Sequence, residues 1–265
     1  MNAPVQNLTL RDLGDRLDRM IGTRPNPVVI YTAVWPLGRA LGLGGKETLD
    51  GVLGTVLDVV GSRSLAMPAF THGFRDGFCN LDAEPSITGM LSEAFRLRPG
   101  VRRTVSAFFS FAVQGPQADA MVALRPQRAW GEGSLYEWFE QQDATFVLLG
   151  AHPTHCSYLH RMEWLIADKI AYRYPKSFHG RVRHEGNDIG VSEELFVRSL
   201  QPVAKNDFTV LTPILVAGGM ASEPFGGAPL SVMSARAMRD AFLPRLHADP
   251  FLVLSNRKDF ERGDA

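Results

Sequence analysis

A histidine and a glutamate three residues apart are the strongest candidates for chemistry in this sequence. His160 and Glu163 lie within segment 145–163, and side chains three residues apart on a helix share one face and can touch. A carboxylate beside an imidazole fixes its tautomer, favours the imidazolium and makes the ring a better proton acceptor. The pair therefore predicts general-base catalysis, against the plainer interpretation of an ion pair on a helix surface.

Other possible ligands lie just before this pair. His152, His155 and Cys156 could form a zinc site with His160, because zinc takes three or four nitrogen or sulfur ligands at tetrahedral angles. A five-residue spacing between His155 and His160 does not align the two rings on one helix. We therefore predict no metal and expect His152, His155 and Ser157 to bind substrate. A metal-dependent hydrolase that uses the His152/His155/His160 cluster is the alternative.

Positive charge is concentrated just after these residues. Segment 172–184 contains no acid, and its basic side chains are Arg173, Lys176, His179, Arg181, Arg183 and His184. Arginine pairs bidentately with phosphate oxygens, so the run is either a solvated surface or a patch for a phosphate-bearing ligand. Arg102 and Arg103 offer a second such place.

The elements that must position this chemistry follow from hydrophobic patterning. Residues 146–149 are an apolar run of the length of a buried strand, and Gly150 ends it. Further strands are predicted at 28–31, 64–70, 105–113, 208–216 and 251–254, and helices at 10–21, 46–60, 89–97 and 135–141, with a last helix that Ser231 caps and Leu246 ends. This alternation predicts an α/β sandwich: a single domain over residues 1–265, with a central mixed sheet covered by helices on both faces.

Composition restricts the classes of function. The chain has 265 residues, with Lys plus Arg and Asp plus Glu at 28 each, so no charge bias favours nucleic acid or a membrane. Its two cysteines cannot form a disulfide framework, and no stretch resembles a signal peptide or a membrane span. We expect a cytoplasmic monomer or homodimer that binds small molecules.

Several segments match a known family in the right order. Leu-Leu-Gly-Ala at 148–151 is followed by Ser157, Leu159, His160 and Glu163, and further matching segments lie at 29–34, 66–71, 86–91, 102–104 and 131–134. Together they resemble the aminoglycoside 3-N-acetyltransferase (antibiotic N-acetyltransferase) family. This chain departs from the family pattern at Tyr31, which replaces a histidine, and at Ser106-Ala107, which replaces His-Pro.

The resemblance implies transfer of an acetyl group from acetyl-CoA to an amine in a ternary complex. His160, oriented by Glu163, would be the general base. By position, the CoA-binding residues would be Thr32, Ala33, Val34 and Thr71 along the pantetheine path, with Arg102 and Arg103 at the phosphates. The departures leave open a catalytically weak CoA-binding protein, although both His160 and Glu163 are retained.

Charge bears on the acceptor. A site for a polycationic aminoglycoside should be rich in carboxylates, whereas this chain is neutral and has a basic run after the catalytic segment. We therefore expect an amino sugar that carries phosphate, such as a nucleotide-linked one, or another small amine metabolite, ahead of an antibiotic.

Overall fold

The computed structural model describes residues 8–24, 27–74 and 76–261. Its helices are α1 (Leu10–Ile21), α2 (Val34–Leu41), α3 (Gly45–Val60), α4 (Met90–Arg96), α5 (Ala118–Ala123), α6 (Leu135–Gln141), α7 (Leu159–Leu165), α8 (Leu211–Ala217), α9 (Ala235–Ala248) and α10 (Lys258–Glu261). Its strands are β1 (Val28–Thr32), β2 (Leu65–Pro68), β3 (Phe78–Asn80), β4 (Arg102–Arg103), β5 (Phe111–Gln114), β6 (Thr145–Leu149), β7 (Arg173–His184), β8 (Asn187–Arg198), β9 (Ala221–Phe225) and β10 (Ala228–Ser234).

Seven of these strands form the main sheet, in the order β4-β5-β2-β1-β6-β10-β9. The central strand β1 runs parallel to both β2 and β6, whereas β10 is antiparallel to β6 and β5 is antiparallel to β2. The sheet is therefore mixed. In β1 the side chains alternate between two buried clusters, with Val28 and Ile30 on one face and Val29 and Tyr31 on the other.

Helices cover both faces of this sheet. Buried side chains of α1, α3 and α4 pack with Val28 and Ile30, and buried side chains of α6, α7 and α9 pack with Val29 and Tyr31. Burial on both sides explains why the central strands are continuous apolar runs instead of alternating ones. The predicted α/β sandwich is confirmed.

The second sheet is a long hairpin of β7 and β8 with β3 at its edge. The strands pair from Arg173↔Arg198 to His184↔Asn187. Glu185 and Gly186 join them, with φ of 50° and 75°, the positive values of a two-residue turn that matches strand twist. The basic run 172–184 is mostly β7. Arg181 and Arg183 both pair with Asp188 across the hairpin, and this part of the run is a solvated strand face.

Several predicted elements are wrong. Residues 208–216 form a 3-10 turn followed by α8 instead of a strand, and the Asp207 carboxylate accepts from Thr209 N, a helix-start signal that the apolar run concealed. Ser231 lies inside β10, and the residue that caps α9 is Ser234. Residues 251–254 form turns with one bridge, Asn206↔Leu254. Residues 34–41 form α2, which was not predicted; Pro36 lies in its first turn, where proline is tolerated.

The two cysteines, Cys79 and Cys156, are both free and buried. Burial raises the pKa of the Cys156 thiol to about 12, so this group stays protonated and unreactive near neutral pH. Within the described ranges, no helix has both the length and the apolar character needed to cross a membrane.

A buried carboxylate holds the hairpin against the loop that precedes β5. Glu193 of β8 accepts from the Ser106 hydroxyl at 2.8 Å and from Ala107 N at 2.8 Å. Burial raises the pKa of Glu193 from 4.5 to about 7, and these two hydrogen bonds only partly offset it. The folded protein therefore binds this proton more tightly than the unfolded chain. The stability that the proton contributes is complete below pH 4.5 and is lost as the pH rises through 7.

We expect Glu193→Gln to stabilise the protein at pH 8 and not at pH 5. The amide keeps an acceptor for Ala107 N and removes an ionisation that costs on the order of 3 kcal/mol at alkaline pH. Urea unfolding at both pH values measures the effect. Glu194→Gln is the matched control, since Glu194 is the next residue and pairs with the half-exposed Arg128. A variant with the same pH dependence as the wild type would show that Glu193 ionises without cost.

Candidate active site

The segment that carries the candidate base leaves the sheet next to the end of the central strand. Gly150 follows β6 with φ of 69°, and a Cβ at this position would lie 2.4 Å from the carbonyl oxygen of Ala33. Only glycine permits both this backbone conformation and this contact. Ala33 N in turn donates to Leu149 O at 2.9 Å. The ends of β1 and β6 are therefore fixed side by side, and a 3-10 turn (Pro153–His155) leads from there to α7.

His160 and Glu163 are in direct contact on α7. The Nδ1–Oε2 distance is 2.5 Å, the Glu163 side chain is fully buried, and 25% of the His160 side chain is exposed. Helix geometry alone brings the two residues together, as their spacing predicts.

Three further side chains donate hydrogen bonds to the Glu163 carboxylate. Oε1 accepts from the Tyr172 hydroxyl at 2.8 Å, from Arg173 Nε at 3.0 Å and from Asn206 Nδ2 at 3.3 Å. Burial alone would raise the pKa of this carboxyl, but the Arg173 charge, the neighbouring His160 ring and the hydrogen bonds from His160 and Tyr172 hold it at about 2. Glu163 is therefore ionised throughout the physiological pH range. Sequence reasoning missed all three donors.

The ionised carboxylate determines the tautomer of His160. A contact of 2.5 Å to Glu163 requires a proton between the two atoms, so we assign that proton to Nδ1 and the lone pair to Nε2. Among the described residues, no side chain or backbone group hydrogen-bonds Nε2. This nitrogen is free to accept a proton from another molecule.

Burial and a neighbouring cation determine the protonation state of His160. Burial, and after it the positive charge of Arg173, lower the pKa of His160 below 6.5. Glu163 raises this pKa, as expected, but it does not outweigh the other two effects. The ring is neutral at pH 7, which is the state that a general base requires.

Aromatic rings hold the imidazole in place. The Trp130 ring meets it edge-on at 5.5 Å between centroids, and Phe208 does so at 5.1 Å on another side. Trp130 Nε1 donates to the carbonyl oxygen of Ser157 at 3.1 Å, and this hydrogen bond fixes the Trp130 ring to the segment that leads into α7. The ring orientation is set by packing as well as by the hydrogen bond to Glu163.

The three residues predicted to bind substrate lie in two different environments. The Ser157 hydroxyl is buried beneath α7 and hydrogen-bonds the phenols of Tyr31 at 2.7 Å and Tyr136 at 2.6 Å. His152 and His155 are exposed on the 3-10 turn. The described residues contain no group of three or more His, Cys, Asp or Glu side chains placed to hold a metal ion, and the alternative metal cluster is not formed there.

The predicted pantetheine-lining residues lie at the carboxyl end of β1 and in a nearby loop. Thr32 ends β1, Ala33 precedes α2 without a side-chain cap, and Val34 begins the helix. Thr32 Oγ1 is buried and has no hydrogen-bond partner among the residues that the structure describes. The Thr71 hydroxyl is already bonded, since it donates to Glu84 at 3.0 Å and accepts from Gly73 N.

The two arginines predicted to contact CoA phosphates are already paired with other residues of the protein. Arg102 forms ion pairs with Glu185 and Asp119. Arg103 is buried, and its guanidinium donates to the Ser110 hydroxyl and to the carbonyl oxygens of Leu81, Glu84 and Ala69. A phosphate would have to displace these partners, and the structure therefore gives this prediction no support.

A cavity of about 240 Å³ opens beside the start of α2. Its lining residues are Val34, Trp35, Gly38, Arg39, Gly42, Leu43, Gly45, Thr48 and Met90. Trp35 is 66% exposed and Met90 is 46% exposed, so two of the lining side chains are exposed apolar groups. Sequence reasoning missed this cavity.

Comparisons with known proteins agree with this architecture. A family model described as aminoglycoside 3-N-acetyltransferase matches residues 42–246, whereas no curated protein sequence matches. The solved structure "AAC-IIIb binary with CoASH" has a TM-score of 0.74 at 21% identity, covering 91% of this chain and 97% of that one. "AAC-VIa bound to Sisomicin" has 0.73 at 18%, covering 92% and 98%. The YokD protein from Bacillus subtilis has 0.70 at 16%, covering 91% and 99%.

At these identities the solved structures establish the fold. The family model covers most of the chain, including every strand from β2 to β10 and the His160–Glu163 pair. The resemblance inferred from short motifs is thereby confirmed, and the chain belongs to the aminoglycoside 3-N-acetyltransferase family.

Proposed function

We propose that this protein is an acetyl-CoA-dependent N-acetyltransferase in which His160, oriented by Glu163, is the general base. The observation that carries the proposal is an Nε2 lone pair without a partner in the described part of the chain, on a neutral ring beside a buried, ionised carboxylate. Family membership supports the enzyme class and acetyl-CoA as co-substrate. We also propose that residues 1–265 act as one domain, as a monomer or homodimer.

The proposed reaction requires one proton to be moved. His160 Nε2 takes it from the acceptor amine as the nitrogen attacks the thioester carbonyl, and the imidazolium returns it to the departing thiolate. Glu163 stabilises the transient positive charge through Nδ1. Such a base contributes about 10²–10⁴-fold to the rate, and holding amine and thioester together contributes further.

The residues at the end of β1 fit an acyl-CoA. The Thr32 hydroxyl, which has no partner among the described residues, and the Val34 N–H at the uncapped start of α2 offer donors to a polar, anionic ligand. Ala33 N already donates to Leu149 O and only shapes the backbone there. The adjacent cavity offers the exposed Trp35 ring and the Arg39 cation. We propose that Thr32, Ala33, Val34 and Trp35 hold the acyl donor. When bound, acetyl-CoA supplies the activated acetyl group.

The acceptor that we propose is an amine on a sugar-like or other small metabolite. The carboxylates near α7 already have a positively charged partner within the protein, since Glu137 and Glu140 form ion pairs with the buried Arg161. A polycationic acceptor needs several unpaired acids. An amino sugar that carries phosphate therefore ranks ahead of an aminoglycoside, although the solved AAC-VIa structure contains sisomicin.

A thiol-release assay with acetyl-CoA tests the function and the acceptor together. The amine panel contains nucleotide-linked amino sugars, simple amino sugars, small amines and aminoglycosides. We expect amine-dependent thiol release and an acetylated product by mass spectrometry. Aminoglycosides as the fastest acceptors would overturn the acceptor proposal, and no release with any amine would count against the transferase itself.

The pH profile of kcat/KM should reflect the free imidazole. Because burial and Arg173 lower the pKa of His160, the base form is present at neutral pH and is lost only when the pH falls through a value below 6.5. We expect a single acid limb with its midpoint below pH 6.5, measured with an acceptor whose own amine does not titrate there. A midpoint above 6.5 would contradict the lowered pKa of His160.

A further inference from the structure

A buried arginine contacts both members of the proposed dyad. Arg173 begins β7, and its side chain is only 7% exposed. Nε donates to Glu163 Oε1 at 3.0 Å, and Nη2 lies 3.1 Å from Nδ1 of His160. We propose that Arg173 is a positioning residue that allows Glu163 to orient the His160 ring without charging it. This inference rests on the proposed function of His160.

The arginine has little freedom to leave this position. Nη1 donates to the carbonyl oxygen of Phe196 at 3.0 Å, and Nη2 donates to Asn206 Oδ1 at 3.0 Å. Together with the bond to Glu163, these contacts fix the plane of the guanidinium from three directions. Since the proton on His160 Nδ1 points to Glu163, the approach of Nη2 to the ring is a contact between a cation and an imidazole, and the imidazole does not accept a hydrogen bond there.

The charges that face His160 explain why the arginine is needed. Glu163 faces the ring from its own helix and Arg173 from β7, whereas Trp130 and Phe208 are uncharged. Tyr172 is also neutral, because burial and Glu163 raise the pKa of its phenol. In a simple histidine–carboxylate pair the carboxylate stabilises the imidazolium, so the histidine is already protonated and cannot accept another proton. The charge of the buried Arg173 offsets that of Glu163. The imidazole of His160 can then stay neutral beside the carboxylate.

The test compares two substitutions of Arg173 with a control on the same strand. R173M removes the charge, and R173K keeps it. R183M is the control, because Arg183 is half-exposed and its guanidinium pairs with Asp188. Two measurements are made: the NMR titration of the His160 ring, assigned by its loss in H160Q, and the pH profile of kcat/KM with an amine acceptor.

We expect R173M to raise the pKa of His160 and to move the acid limb of kcat/KM to higher pH. The ratio of kcat/KM at pH 8 to that at pH 6 should increase about threefold or more, since each pKa unit changes the base fraction up to tenfold on the acid side. In R173K the pKa of His160 should be close to that of the wild type. In R183M both the pKa of His160 and the pH profile of kcat/KM should equal those of the wild type. If R173M does not fold, R173Q removes the charge while keeping donors for Glu163.

An unchanged or lower pKa of His160 in the charge-removing variant would overturn the proposal. A loss of kcat with the same pH profile in R173M and in the wild type would also overturn it, because that result indicates a purely structural arginine. The NMR titration needs no turnover. It therefore tests Arg173 even if the wild-type protein acetylates no amine, and that outcome would count against the proposed function alone.

Discussion

Replacing His160 with alanine should lower kcat for acetyl transfer by about 10²–10⁴-fold, the contribution of a positioned general base. The free energy of unfolding should change much less, because 25% of this side chain is exposed and its loss leaves the Glu163 charge paired with Arg173. Steady-state thiol release at saturating acetyl-CoA measures the first effect, and urea unfolding measures the second.

His247→Ala is the matched control for that experiment. His247 is exposed on α9, where its contact is with Lys169, and its removal should leave kcat within a factor of two. Residual activity of His160→Ala should no longer show the acid limb that we assign to the imidazole. A variant that retains more than about a third of the wild-type kcat would place the base on another residue.

Replacing Glu163 with alanine should destabilise the protein by about 3–5 kcal/mol, the usual cost of leaving one partner of a buried ion pair without the other. Arg173 would keep its burial and lose its counter-ion. Tyr172 and Asn206 would lose an acceptor in the same step. Urea unfolding at pH 7 measures the change. Catalysis should fall as well, since the ring would have no acceptor to hold Nδ1–H.

Two comparisons sharpen this prediction. Glu163→Gln keeps one acceptor oxygen, replaces the other with an NH2 donor and removes the charge, so it should lose less stability than the alanine variant. Glu185→Ala removes a partly exposed partner of Arg102, and exposed pairs contribute at most about 1 kcal/mol. Equal effects of Glu163→Ala and Glu185→Ala would mean that the buried network adds no more than a surface pair.

The sequence was sufficient for the parts of the site that are local in the chain. His160 and Glu163 meet because a helix brings residues three apart together, and β6 is recognisable because it is a short apolar run that ends in glycine. These two patterns, with the order of the motifs, were enough to predict the sandwich, the family and the central pair.

The remaining members of the site could not be predicted, because the tertiary fold brings them together. Arg173 begins β7 of the second sheet, Tyr172 directly precedes that strand, and Asn206 lies 43 residues beyond Glu163. In the sequence Arg173 looked like one of several surface cations, since nothing in a basic run shows which member will be buried. The strand predicted at 208–216 failed for a related reason: its apolar residues suit either element, and packing decided for a helix.

The hairpin of β7 and β8 links the candidate active site to a distant turn. Arg173 occupies the open end of the ladder, opposite Arg198, and Glu185-Gly186 closes the other end. Strand side chains alternate between faces, so a slip of one residue at that turn would point the Arg173 guanidinium away from Glu163. An insertion or deletion at 185–186 would thus break the contact between Arg173 and Glu163 without changing either residue.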